Sequence, residues 1–215
     1  MREIILISFL GPDQPNQFTR LMQVLSAHSL QILDVGQAVI HNQLTLGIVV
    51  ASDDQTATAL AMKEILILAH DIGLTVRFKP ISATEYDQWV KEGGRTRYIV
   101  TALAPELNAS HLQAVTQIVS AQGFNIETVT RLSGRPALDG HSSGPKRACV
   151  EFGLKGQMLD AAAMRAACLR LSTELNVDVA VQEDNAYRRN RRLVCFDMDS
   201  TLIEQEVIDE LAIEA

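Results

Sequence analysis

Cysteine is scarce in this chain, and the three residues present, Cys149, Cys168 and Cys195, form no C-x-x-C pair and no zinc-ligand spacing. A disulfide framework is therefore excluded, and reduced thiols in a cytoplasmic protein are the simplest reading. The five histidines build no H-E-x-x-H or comparable cluster, so each reads as a surface or core residue rather than a metal ligand. Long apolar runs are missing as well. Met1 to Leu10 is apolar but too short to span a bilayer, has no small-residue cleavage site and runs into the turn Gly11-Pro12-Asp13. It reads as a buried strand, and no membrane partner is expected. Positive charge is in deficit, with a net charge of −7, which argues against nucleic acid as the main partner. The exception, Arg188-Arg189-Asn190-Arg191-Arg192, has no interleaved aromatics and reads as a solvated linker ahead of a strand.

What is there is a repeat. A hydrophobic share of 47% in 215 residues suits packed globular domains. Ile4 to Leu10 is strand-like, and Pro15 to His28 carries helical spacing through Phe18, Leu21, Met22 and Leu25. Strand patterns follow at Gln31 to His41 and Leu44 to Ala51, then a helix at Thr56 to His70 and a strand at Leu74 to Phe78. The same order returns further on, with strands at Tyr98 to Leu103, Asn125 to Leu132, Ala148 to Leu154 and Val177 to Val181. Its helices are Ser110 to Gln122 and Met158 to Glu174. Ser133 to Pro145, rich in turn formers, reads as a long mobile hairpin loop. Each half is thus βαββαβ, expected to give a four-stranded antiparallel sheet with both helices on one face. The other sheet face and the edges then need cover, which side-by-side pairing of units or a homodimer would supply. The expected boundaries are residues 1–81 and 98–182 for the two repeats and 82–97 and 183–192 for linkers, the first with room for a short helix. A last segment, 193–215, opens a further domain.

That last segment carries the chemistry. Leu193-Val194-Cys195-Phe196 is apolar and runs directly into Asp197-Met198-Asp199-Ser200-Thr201. Aspartate is a poor strand former and a good turn residue, so the pattern predicts a central strand ending at Asp197, with Asp197 and Asp199 at its carboxyl edge. In open α/β sheets ligands bind at that edge. Two carboxylates there can hold a hard cation such as Mg²⁺, and one can attack phosphorus. The alternative is structural: Thr201 and Glu204 fit a capping box at a helix start, which leaves Asp197 and Asp199 as turn residues. A capping box does not account for two acids closing an apolar strand.

Phe196-Asp197-Met198-Asp199-Ser200-Thr201 resembles the first motif of the haloacid dehalogenase-like phosphatases. The continuation Leu202 to Ala212 is similar to the phosphoserine phosphatase family within them. The resemblance implies a Rossmann-like catalytic domain acting on O-phosphoserine, with Asp197 as nucleophile and Asp199 as general acid and then base. It further implies Mg²⁺ held by the Asp197 carboxylate and the Asp199 carbonyl, phosphate contacts from the Met198 and Asp199 amides, and Glu206 on the substrate ammonium. P-type pumps of the same superfamily have threonine at the Asp199 position and lysine at that of Met198, so the residues here fit a phosphatase. The family's remaining parts are a serine or threonine for the phosphate, a lysine and a Gly-Asp-Gly loop. After Gly156 there is no glycine and after Lys155 no lysine. The expectation is a chain cut early in its catalytic domain and inactive by itself.

Gly11-Pro12-Asp13-Gln14-Pro15-Asn16 resembles the G-x-D-x-P-G signature of ACT domains, the amino-acid-sensing modules of biosynthetic enzymes, with Asn16 in place of the last glycine. Asparagine tolerates a left-handed backbone. The second repeat has Ala104-Pro105-Glu106-Leu107-Asn108 at that junction, without glycine. Its Asn125 resembles the ACT asparagine that meets the ligand across a subunit boundary, and Gln31 is the counterpart in the first repeat. Asp13, Asn16, Gln31 and Asn125 are the candidate effector residues, serine the candidate effector. The alternative is that these are turn and cap residues of scaffolding repeats.

The fold class expected is α/β (α+β), two ferredoxin-like ACT-type domains followed by the first strand and helix of a haloacid dehalogenase-type domain. The functional expectation is an O-phosphoserine phosphatase of serine biosynthesis with an amino-acid-sensing region. The alternative is a regulatory binding and dimerisation module without catalysis.

Overall fold

The structure is a computed structural model that describes residues 2–135, 147–189, 195–198, 202–204 and 206–214. The chain divides into two compact units, Met1–Gly94 and Arg95–Ala215. The hairpin loop expected after Ser133 lies largely outside the described residues.

In the first unit β1 (Glu3–Pro12), α1 (Gln17–Ala27), β2 (Gln31–Ile40), β3 (Gln43–Ser52), α2 (Gln55–Asp71) and β4 (Thr75–Ile81) form a four-stranded sheet of order β2-β3-β1-β4. β1 pairs antiparallel with β3 in one unbroken register, from Glu3↔Ser52 to Pro12↔Gln43. Side chains alternate across a strand. Ile5, Ile7 and Phe9 of β1 and Leu44, Leu46, Ile48 and Val50 of β3 therefore share one face, where they bury against Leu21 and Leu25 of α1 and Ala61, Ile65 and Ala69 of α2. The helix starts have local causes. The Asp54 carboxylate accepts from the Thr56 and Ala57 amides and caps α2.

The opposite face of this sheet is partly covered from within the unit. The stretch read as a linker holds α3 (Ala83–Gly93), opened by a reciprocal capping box between Ser82 and Glu85. Hydrogen bonds from the Ser82 amide and hydroxyl hold the Glu85 carboxyl below its ordinary range. Tyr86 of α3 packs with Leu6, Leu33 and Ile81 against buried Ile4, Val49 and Ala51, and its ring lies 5.8 Å from that of Trp89.

The second unit repeats the plan with β5 (Arg97–Ala104), α4 (Ala109–Ala121), β6 (Asn125–Arg131), β7 (Ala148–Lys155), α5 (Ala161–Leu175) and β8 (Asp178–Glu183), in sheet order β6-β7-β5-β8. Val100, Ala102, Phe152 and Leu154 of the sheet bury against Val115 and Val119 of α4 and Met164, Cys168 and Leu171 of α5. Burial pushes the Cys168 thiol pKa up, which keeps it protonated. α5 begins three residues later than its alanine-rich pattern suggests, because the Asp160 carboxylate caps it by accepting from the Ala162 and Ala163 amides. Two short helices follow, α6 (Ala186–Arg189) and α7 (Val207–Glu214). Among the described residues no helix is long and apolar enough to cross a membrane.

Gly11 sits where the end of β1 meets the α2–β4 corner. A Cβ there would lie 2.7 Å from the Gly73 carbonyl oxygen and 2.8 Å from Leu74 Cδ2. Gly36, in β2, has nothing within 4 Å of the same position. Gly11→Ala is therefore expected to cost about 1–3 kcal/mol through overpacking against backbone. Gly36→Ala should stay within about 0.5 kcal/mol of the parent or stabilise it. Urea denaturation of both variants checks the contrast.

Candidate functional site

The turn between β1 and α1 is built from inside. Gln17, in the first turn of α1 and 4% exposed, lies on the same helix face as Leu21 and Leu25. Its Nε2 donates to the carbonyls of Pro12 (3.1 Å) and Ile72 (3.2 Å), and its Oε1 accepts from the Gln14 amide (3.0 Å). Asn16 takes the left-handed conformation (φ 69°) that glycine takes in the ACT signature, and its side chain makes no cap hydrogen bond. Asp13 is exposed, and its backbone amide donates to the Asn42 carbonyl at 2.8 Å, which ties the turn to the β2–β3 hairpin.

Gln31 lies at the far end of the same sheet. It pairs with Ala51, which pairs with Ile4, whereas the turn follows Pro12. Eight strand residues separate the two positions, roughly 26 Å at the rise of a strand. A single small ligand therefore cannot touch the turn and Gln31 of one unit. Gln31 Oε1 is engaged by the Arg2 guanidinium. Asn125 opens β6 in register with Lys155. Beside it Glu127 receives Lys155 at 3.3 Å and Arg97 at 3.7 Å. The structure thus joins Asp13 to Asn16 and keeps Gln31 apart from them.

The first arginine of the basic run is not freely solvated. The Arg188 guanidinium is 20% exposed and pairs with Glu151 at 2.6 Å and Asp184 at 3.6 Å. Glu151 lies in the middle of β7, opposite Thr101. Asn185 caps the short helix by accepting from the Tyr187 and Arg188 amides. The chain leaving β8 is in this way fastened to the face of the second sheet that its helices α4 and α5 do not cover. Arg189 is described by its backbone alone, and residues 190–192 lie outside the described residues.

Of the acidic motif, Asp199 and Thr201 lie outside the described residues, as do Leu193 and Val194. The strand expected over Leu193 to Phe196 is not formed at Cys195 and Phe196, which carry no secondary structure. A strand exists only in a ladder, and no described strand pairs with this segment. Asp197 Oδ1 accepts from the amide of Met198 at 2.9 Å, a local bond that needs no sheet. Leu202 and Ile203 donate their amides to the Met198 carbonyl, which makes a turn where the capping-box reading places a helix, and α7 begins at Val207 instead. Glu206 stands exposed just ahead of α7, its carbonyl accepting from the Asp209 amide at 3.1 Å. Among the described residues no three His, Cys, Asp or Glu side chains lie together as a metal would require. Of the motif's two carboxylates, Asp197 is the one that is described.

The two units are α+β, each with a four-stranded antiparallel sheet of the ferredoxin-like, ACT-like kind, and residues 3–79 match the ACT domain family. Over nearly its whole length the chain is similar to phosphoserine phosphatases. It is 31% identical over 212 residues to phosphoserine phosphatase SerB2 of Mycobacterium tuberculosis, covering 98% of this chain and 48% of that protein. It is 29% identical over 217 residues to the phosphoserine phosphatase of Streptomyces coelicolor, covering 98% and 47%. The chain spans about half the length of these curated relatives. A solved structure of an unknown protein from Galdieria sulphuraria superposes with a TM-score of 0.67 at 15% identity, covering 86% of this chain and 100% of that one. At that identity the likeness is one of fold.

Sequence reasoning missed Gln17 and the Arg188–Glu151 pair. The signal for Gln17 was a polar residue at i−4 from Leu21 and i−8 from Leu25, on the face that should be apolar. Glu151→Gln removes the charge that holds Arg188. The expected outcome is several-fold faster chymotryptic cleavage after Tyr187, which is 83% exposed, with little change in global melting temperature, since a part-exposed pair contributes about 1 kcal/mol. Timed proteolysis beside a thermal melt checks this.

Proposed function

We propose that this chain is the sensing region and the first catalytic segment of an O-phosphoserine phosphatase. The observation that carries the reading is the similarity to proteins of that name over 98% of the chain, which takes in both repeats and the Asp197-Met198-Asp199 segment. In the proposed reaction a carboxylate oxygen of Asp197 forms a bond to phosphorus as the bond to the serine oxygen breaks. The departing oxygen takes the electron pair and receives a proton from Asp199. The Asp199 carboxylate then removes a proton from water, whose oxygen attacks phosphorus and releases inorganic phosphate and the Asp197 carboxylate. The Met198 and Asp199 amides meet the phosphate, and Glu206 pairs with the substrate ammonium. Mg²⁺ is the cation the motif chemistry favours, with Asp197 and Asp199 as its holders; when bound it would neutralise phosphoryl charge. The catalytic part is proposed to open at residue 193, and the whole protein to be a cytoplasmic homodimer.

The regulatory part of the proposal is that an amino acid, serine first, binds at the Gly11–Asn16 turn. Free amides near a helix start suit a carboxylate, and a side-chain carbonyl from a second copy of the chain can take the ammonium. The roughly 26 Å between the turn and Gln31 supports a site completed by a second copy of the chain rather than within one repeat. A second reading is a binding and dimerisation module without catalysis, for which the match of residues 3–79 to the ACT domain family speaks.

In the natural gene product, assayed as phosphate release from O-phosphoserine with Mg²⁺, Asp197→Asn is expected to lower kcat by at least about a thousandfold. Near-parental turnover of that variant removes the nucleophile assignment. Glu206→Gln should lower kcat/KM by about ten- to a hundredfold, through loss of one charge-assisted contact to the substrate. Calorimetric titration of the 215-residue chain with serine, glycine and alanine tests the sensor. Heat of binding at millimolar ligand or below is expected for serine, and its absence for all three leaves the repeats as scaffolding.

A further inference from the structure

We propose that Gln17 is the positioning residue of the effector turn, and that the first repeat alone presents such a turn. This inference rests on the sensing reading above. A helix start ordinarily satisfies its free amides with the side chain of its N-cap residue. The second repeat does so: the Asn108 carboxamide oxygen accepts from the His111 amide at 3.0 Å. The first repeat does not. Its N-cap residue, Asn16, is left-handed and makes no cap bond, so the helix start keeps its amides uncapped, while the buried Gln17 carboxamide braces the turn itself from beneath, accepting from the Gln14 amide and donating to the Pro12 carbonyl.

The same amide nitrogen reaches the Ile72 carbonyl at the C-terminal end of α2. One residue further, the Gly73 carbonyl blocks any side chain at Gly11. Both ends of the turn, Gly11 and Gln17, are therefore set against one backbone corner between α2 and β4. Two independent contacts fix the turn from below. Asp13 and Asn16 are left with no side-chain hydrogen bond to any described residue, which is the state a ligand-presenting turn needs. At the matching junction of the second repeat buried Ala104 stands in place of Gly11, and Asn108 is spent as a cap. That turn is closed by its own side chains.

The test uses the whole 215-residue chain. Gln17→Met keeps the length of the side chain and its helix preference while removing all three hydrogen bonds. Gln17→Glu keeps the acceptor for Gln14 N–H and removes both donors. Leu25→Val, two turns along the same buried face, is the control for a merely structural role. For Gln17→Met the expected result is a serine dissociation constant raised by about tenfold or more by calorimetry. Exchange of the Gln14 amide in ligand-free protein should accelerate by a similar factor. Gln17→Glu should fall between Met and the parent in Gln14 exchange, and Leu25→Val should leave both readouts within about twofold despite its lower stability. If the parent binds serine and Gln17→Met binds it within about twofold, the inference is overturned while the sensing reading stands. If the parent binds none of serine, glycine and alanine, the sensing reading fails and takes this inference with it.

Discussion

The ten-residue antiparallel register between β1 and β3 is the constraint on which the first unit depends. It is unbroken from Glu3↔Ser52 to Pro12↔Gln43, so the parity of every side chain on both strands is decided at once. Ile7, Phe9, Leu46 and Ile48 go to the helices, while Ile4, Val49 and Ala51 go to the face that α3 meets. A slip of one residue would exchange those sets and place the largest buried side chains in solvent. The register also decides where β1 runs out. It delivers Gly11 to the α2–β4 corner, at a spot that only a residue without a side chain can occupy.

The two repeats share strand order but not finish. In the first, an added helix with its own capping box covers part of the second sheet face. In the second, an ion pair between Glu151 and Arg188 fastens the departing chain onto the equivalent face. These are different solutions to one problem, since a two-layer unit leaves one side of its sheet without a partner layer. A helix that lays Tyr86 on the sheet removes apolar surface from water and stabilises the unit. A part-exposed ion pair contributes little net energy but fixes a direction. The first repeat is thereby closed, and the second holds the route toward the acidic segment.

Much of the plan was legible in the amino-acid order. Leu44, Leu46, Ile48 and Val50 alternate with outward residues, and Leu21 and Leu25 repeat at helical spacing, so strands and helices announce themselves by period. Asn16 in a left-handed turn follows from what asparagine tolerates. The covering role of α3 was less visible, although Ser82 and Glu85 carry a capping-box spacing. Which sheet face Tyr86 meets depends on tertiary packing that no local pattern encodes. Gln17 was passed over because a glutamine inside an apolar stripe looks like noise until its three backbone partners, one of them 55 residues away, are known. The strand before Asp197 was read from composition alone. Composition gives a preference for extended backbone, whereas the strand itself needs neighbours to pair with.

One optical consequence follows from α3. The chain has a single tryptophan, Trp89, which is 45% exposed and tilted against Tyr86, the residue that seats α3 on the first sheet. At wavelengths that only indole absorbs, the second unit is dark. Emission then reports the seating of α3 on the first unit and nothing else, whereas circular dichroism sums both repeats. The two signals separate the melting of one repeat from that of its neighbour without any label.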